Sequence, residues 1–119
     1  MWNSNDGWLV QYSIQLATEK NAGDITRLIQ LSARQLGRSD YSSAQIEAAL
    51  SSAWGLDSQL ISDKAYYLIM AGRTLAGCGG WSFRRTLFGS DSRGDRDSSR
   101  LDPAVDAAKI RAFFIHPDH

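Results

Sequence analysis

Lys109-Ile110-Arg111-Ala112-Phe113-Phe114-Ile115-His116-Pro117-Asp118-His119 is the stretch whose reading decides the fold. Its first residues alternate in polarity, and 112–115 are apolar whichever way the side chains point, so the run predicts a strand over 109–115. An end that is apolar on both faces suits a central strand rather than an edge strand. Proline has no N–H for a ladder, so the chain leaves the sheet over 116–119.

Before that strand, residues 84–108 are poor in apolar side chains and rich in Ser, Asp, Gly and Arg. They predict a long surface loop with one helical turn at 103–108. Further back, 65–70 and 75–83 read as two strands around the turn Ala71-Gly72-Arg73-Thr74, a hairpin. Gly77, Gly79 and Gly80 in its second arm admit a bulge or the close approach of another chain or ligand. They make no phosphate-binding motif.

Two amphipathic helices precede the hairpin. Ser42 and Gln45 form a capping-box pair, and Ile46, Ala49, Leu50 and Ala53 make a stripe that runs to Gly55. Asn21 and Asp24 mark a helix starting at Ala22, with Ile25, Leu28, Ile29, Ala33 and Leu36 on one face and Gly37 as its stop. Tyr12-Ser13-Ile14-Gln15-Leu16 alternates as a half-buried first strand does. Residues 1–10, with Trp2 and Trp8, read as a leader, leaving one domain over 11–119. The fold class expected is α/β (α+β): a mixed, mostly antiparallel sheet with two helices packed on it.

Composition narrows function. The chain has 119 residues, 43% apolar and 22% charged, which suits one globular domain. Its 13 basic and 13 acidic side chains cancel, which speaks against nucleic acid or an acidic membrane as partner. Cys78 is the only cysteine, so no intrachain disulfide forms, and without a basic neighbour in sequence it reads as a buried, inert thiol. With no secretory or membrane-spanning pattern, a cytoplasmic location is expected. His116, Asp118 and His119 suggest a solvent-exposed turn, and no metal site is expected. Arg84, Arg85, Arg93, Arg96 and Arg100 are interleaved with Asp91, Asp95, Asp97 and Asp102, the pattern of a solvated loop.

Three segments in order carry a resemblance: Ile14-Gln15-Leu16-Ala17-Thr18, then Leu75-Ala76-Gly77-Cys78-Gly79-Gly80-Trp81, then the strand and turn that end in Ile115-His116-Pro117-Asp118. Together they are similar to the first half of the GCN5-related N-acetyltransferase (GNAT) family, the acyl-CoA N-acyltransferase fold. The resemblance implies transfer of an acetyl group from acetyl-CoA, as co-substrate, directly to a primary amine of a small molecule or peptide. It also implies a bulge in the fourth strand, whose backbone pairs with the pantetheine arm while an N–H polarises the thioester carbonyl. Phe113, Phe114 and Ile115 match the cofactor-contacting positions. Tyr41, Trp54 and Trp81 fall where the family builds its acceptor pocket.

Three departures accompany the match. Lys109 stands where some members place a glutamate base, and a lysine ordinarily carries its own proton, so the catalytic base is unassigned. The tyrosine that often protonates the leaving thiolate belongs to the family's second half, and neither Tyr41, Tyr66 nor Tyr67 takes that role. The family's Arg/Gln-x-x-Gly-x-Gly/Ala pyrophosphate loop follows the His-Pro-Asp turn, beyond His119. The alternative expectation is therefore a catalytically incomplete remnant or binding module. In either case the fourth strand, lacking its next neighbour, is expected to self-associate.

Overall fold

A computed structural model describes residues 10–84, 90–91 and 99–119. Within them the chain is α+β: a four-stranded antiparallel sheet in the order β1-β2-β3-β4 and three α-helices. The strands are β1 (Tyr12–Leu16), β2 (Tyr66–Ala71), β3 (Thr74–Ser82) and β4 (Lys109–Ile115). The helices are α1 (Ala22–Leu36), α2 (Ser43–Leu50) and α3 (Ser58–Ser62). Every strand pair is antiparallel, not mixed, and a third helix joins the two expected from the sequence.

Local chemistry sets these bounds. Ser42 Oγ accepts from Gln45 N–H at 3.1 Å while the Gln45 side chain accepts from Ser42 N–H at 2.9 Å, the reciprocal box that opens α2. The helix stops at Leu50, short of Gly55, because Ser51 and Ser52 hydroxyls both donate to Ala48 O, at 2.8 and 2.9 Å. Gly37 ends α1, but with φ −80°, so the chain tightens into a 3-10 turn over Gly37–Ser39 instead of reversing through a left-handed residue. Asp57 caps α3, its Oδ1 accepting from Gln59 N–H at 3.0 Å. In the 84–108 region, Asp102 O accepts from the N–H groups of Val105 and Asp106, which makes the one expected turn there.

α1 lays Ile25, Leu28 and Ile29 on one face of the sheet, where Leu60 and Ile61 of α3 join Tyr66, Leu68 and Cys78 in the core. Ala33 of the stripe is buried, whereas Leu36, at the last position of α1, is half exposed. Arg34 and Glu47 tie α1 to α2 by two hydrogen bonds of 2.9 Å. Arg84, just past β3, makes a fork onto Asp63 at 2.7 and 2.8 Å and so fixes the end of α3.

Two strands differ from their sequence readings. In β1, Tyr12, Ile14 and Leu16 are exposed on the side that carries no helix, where Ile14 pairs with Ile69 and Leu16 with Tyr67, and Ser13 and Gln15 on the other side are exposed as well. Strand β4, apolar on both faces, pairs with β3 alone and is an edge among the described residues. The leader 1–10, apart from Val10, lies outside the described residues, together with Trp2 and Trp8. So do Arg85, Arg93, Arg96, Asp95 and Asp97 of the loop.

Candidate functional site

The candidate site is the junction of β3 and β4. Opposite Cys78 and Gly80 of β3 stand Phe114 and Arg111, so β4 carries one residue more than its partner across this step. Ala112 takes up the surplus with φ +60°, a left-handed conformation that costs an alanine roughly 1–2 kcal/mol. Glycine makes the bulge sterically possible. A Cβ on Gly79 would lie 2.3 Å from the Phe113 ring, which lies over it, and one on Gly80 would lie 2.4 Å from Ala65 O.

A buried polar set holds the bulge from the core side. Tyr66 Oη donates to Ala112 O at 3.0 Å and stands 3.1 Å from Cys78 Sγ. Burial, reinforced by Cys78, pushes the Tyr66 phenol far above its ordinary range, and burial likewise pushes the Cys78 thiol up. Both groups are thus neutral and structural, in line with the inert thiol expected at Cys78. The next residue, Arg111, places Nη2 2.8 Å from Asp57 Oδ2, and both side chains are nearly buried. One carboxylate therefore caps α3 with one oxygen and anchors β4 with the other.

On the far side of the sheet the register aligns Ile14, Ile69, Gly77 and Ile115 in one row and Leu16, Tyr67 and Gly79 in the next, with Phe113 closing the second. Trp81 and Ile110 continue the surface. Between these side chains runs a groove of about 510 Å³ lined by Ile14, Tyr67, Ile69, Trp81, Phe113 and Ile115 with the glycine backbone as its floor.

The residues singled out from the sequence fall into three places. Phe113 and Ile115 point to the open face, 61% and 45% exposed, whereas Phe114 packs against the core. The three thus share a strand but divide between its faces. Tyr41 and Trp54 meet edge to face, 5.6 Å between centroids, beside α2. Trp81 instead pairs with Phe83 at 5.6 Å, and Arg84 and Arg100 each sit 5.1 Å over the Phe83 ring. Lys109 is the first residue of β4, opposite Ser82. At the end of the strand, His116 N–H donates to Ala76 O and the 116–119 turn folds back until His119 Nδ1 meets Tyr12 Oη at 3.1 Å. No group of three or more His, Cys, Asp or Glu able to hold a metal ion occurs among the described residues.

The chain matches no protein family, no curated protein and no solved structure. No described helix is long and apolar enough to cross a membrane.

Sequence reasoning missed Tyr66, Asp57 and Arg111. Asp57-Ser58-Gln59 does carry an N-cap signal before a short apolar pair, but five residues are too few for a visible stripe. Nothing local in the sequence marks Tyr66 as the partner of Ala112, which lies 46 residues away.

Proposed function

We propose that the chain carries the first half of a GNAT-type N-acetyltransferase, with acetyl-CoA as co-substrate and a primary amine as acceptor. The observation that supports this reading is the bulge at Ala112 in an otherwise regular fourth strand whose outer edge pairs with no described strand. It stands where the resemblance to that family calls for one. A bulged edge offers backbone donors and acceptors to an extended pantetheine arm, and a bulge re-aims the N–H groups next to it. In the reaction the amine nitrogen bonds to the thioester carbonyl carbon and the C–S bond breaks. The amine's proton is passed on and coenzyme A leaves as its thiol. An N–H of the 112–115 segment opposing the carbonyl oxygen stabilises the charge that develops there.

Within this reading Phe113 and Ile115 form the apolar side of the cofactor strand. Tyr66, Asp57 and Arg111 touch no substrate: they hold the bulge in shape. Tyr41, Trp54 and Trp81 remain the acceptor-side residues, in two separate clusters.

A second reading, a catalytically incomplete remnant or binding module without transfer, is favoured by Lys109, which stands where some members of that family place a glutamate base. Two measurements on the full chain separate these readings. Calorimetric titration with acetyl-CoA reports binding, and thiol release from acetyl-CoA in the presence of a panel of primary amines reports transfer. Heat without thiol release leaves the binding reading alone. No heat at millimolar acetyl-CoA removes the transferase reading and leaves the remnant or partner-binding module.

A further inference from the structure

We propose that the helix-free face of the sheet is a homodimer interface that seats a second copy of this chain. The proposal does not depend on the acyl-transfer reading, because it uses side chains on a face and not the backbone edge of β4.

The first argument is area. Tyr12, Ile14 and Leu16 of β1, Tyr67 of β2, Trp81 of β3, and Ile110, Phe113 and Ile115 of β4 are between 38% and 75% exposed. At roughly 200 Å² for a whole large side chain, they present roughly 800 Å² of contiguous surface. The largest apolar patch of an ordinary monomer is about 300–600 Å². A stable protein–protein interface takes about 800 Å² from each partner. The face is thus too large for a solvated surface and about the size a dimer needs.

The second argument is shape and charge. Ile14, Tyr67 and Ile69 form one ridge, Trp81, Phe113 and Ile115 another, and the 510 Å³ groove runs between them. A surface with both a ridge and a groove can meet its own copy across a two-fold axis, where each contact occurs twice. Two sheets meeting in this way pack about 10 Å apart, with interdigitated side chains. None of the described residues lining the groove is charged, and the chain's formal net charge is zero, so two copies approach without repulsion. An acidic membrane surface, by contrast, would call for lysines or arginines on the face it meets.

Sedimentation equilibrium of the full chain is the test, run alongside an I14K/I110K variant. Both substituted positions are at least 70% exposed, so lysines there leave the core untouched. V105K, at a position 80% exposed on the 103–105 turn, serves as the charge control. The expected result is a species of twice the 13.2 kDa chain mass for the parent and V105K. In I14K/I110K the dissociation constant should rise by at least about tenfold with an unchanged far-UV spectrum. A parent that stays monomeric at all concentrations overturns the proposal. So does association that I14K/I110K leaves intact, which would assign self-contact to the β4 edge. If I14K/I110K loses its far-UV spectrum, the difference in tryptophan emission between the parent and Trp81→Phe, read against concentration, replaces it: a blue shift in that difference is expected, and none overturns the interface.

Discussion

Gly79 has no side chain because Phe113 needs the room. Its Cβ would meet the ring at 2.3 Å, and every clashing atom belongs to the Phe113 side chain. Gly79→Ala must therefore push Phe113 outward or unpair β4, and it should lower unfolding free energy by about 1–3 kcal/mol in urea titration. A loss below about 0.5 kcal/mol would mean that the ring has another resting place. Asp63 supplies a pH signature at the same scale. The fork from Arg84 holds its carboxyl below the ordinary aspartate range, with Gln59 helping and burial opposing. A carboxylate depressed in the folded state contributes stability above its unfolded pKa, about 3.9, and loses it as pH falls through the folded value. Stability of the parent should accordingly fall below about pH 4 more steeply than that of Arg84→Gln, and parallel acid limbs would exclude the contribution.

At the scale of elements, the Asp57–Arg111 pair joins a helix that the sequence hides to a strand that it displays. Arg111→Met strands a nearly buried carboxylate and should cost about 3–5 kcal/mol. The double variant with Asp57→Ala should recover part of that, leaving mainly a lost helix cap of about 1 kcal/mol. Additive losses in the double-mutant cycle would show that the pair is not coupled. The helices α1 and α2 and the β2-β3 hairpin were legible because each announces itself within a few residues: the Ser42/Gln45 box, the Ile25-Leu28-Ile29 stripe, the Gly72 turn. Strand β4 was legible to its residue bounds, since Pro117 stops it. What was not legible is which side of a strand is covered. The alternation in Tyr12-Ser13-Ile14-Gln15-Leu16 reveals an apolar face, and only the placing of α1 decides that this face lies opposite the core. The candidate site divides in the same way. The glycines and the apolar run around Phe113 were visible, while the groups that hold the bulge, Tyr66 and Asp57, are joined to it by contacts remote in sequence.

At the scale of the whole molecule, one layer of helices and one helix-free sheet face among the described residues would let folding and association share a driving force. If two copies cover each other's face, the melting midpoint rises with protein concentration, by roughly 5 °C for a hundredfold increase. The I14K/I110K variant should melt at a midpoint independent of concentration, and scanning calorimetry over that range reads both. The Tyr12–His119 contact has a separate use. It brings the outer strand of the sheet and the last residue of the chain to one side of the β2-β3 hairpin. A gene that joins His119 to Tyr12 by a few glycines in place of residues 1–11 and opens between Gly72 and Arg73 should encode a circular permutant with the parent's far-UV spectrum. In such a reordered polypeptide the hairpin, now cut, would have to assemble as two separate strands, and its refolding rate would show how far the native sheet is nucleated at that turn.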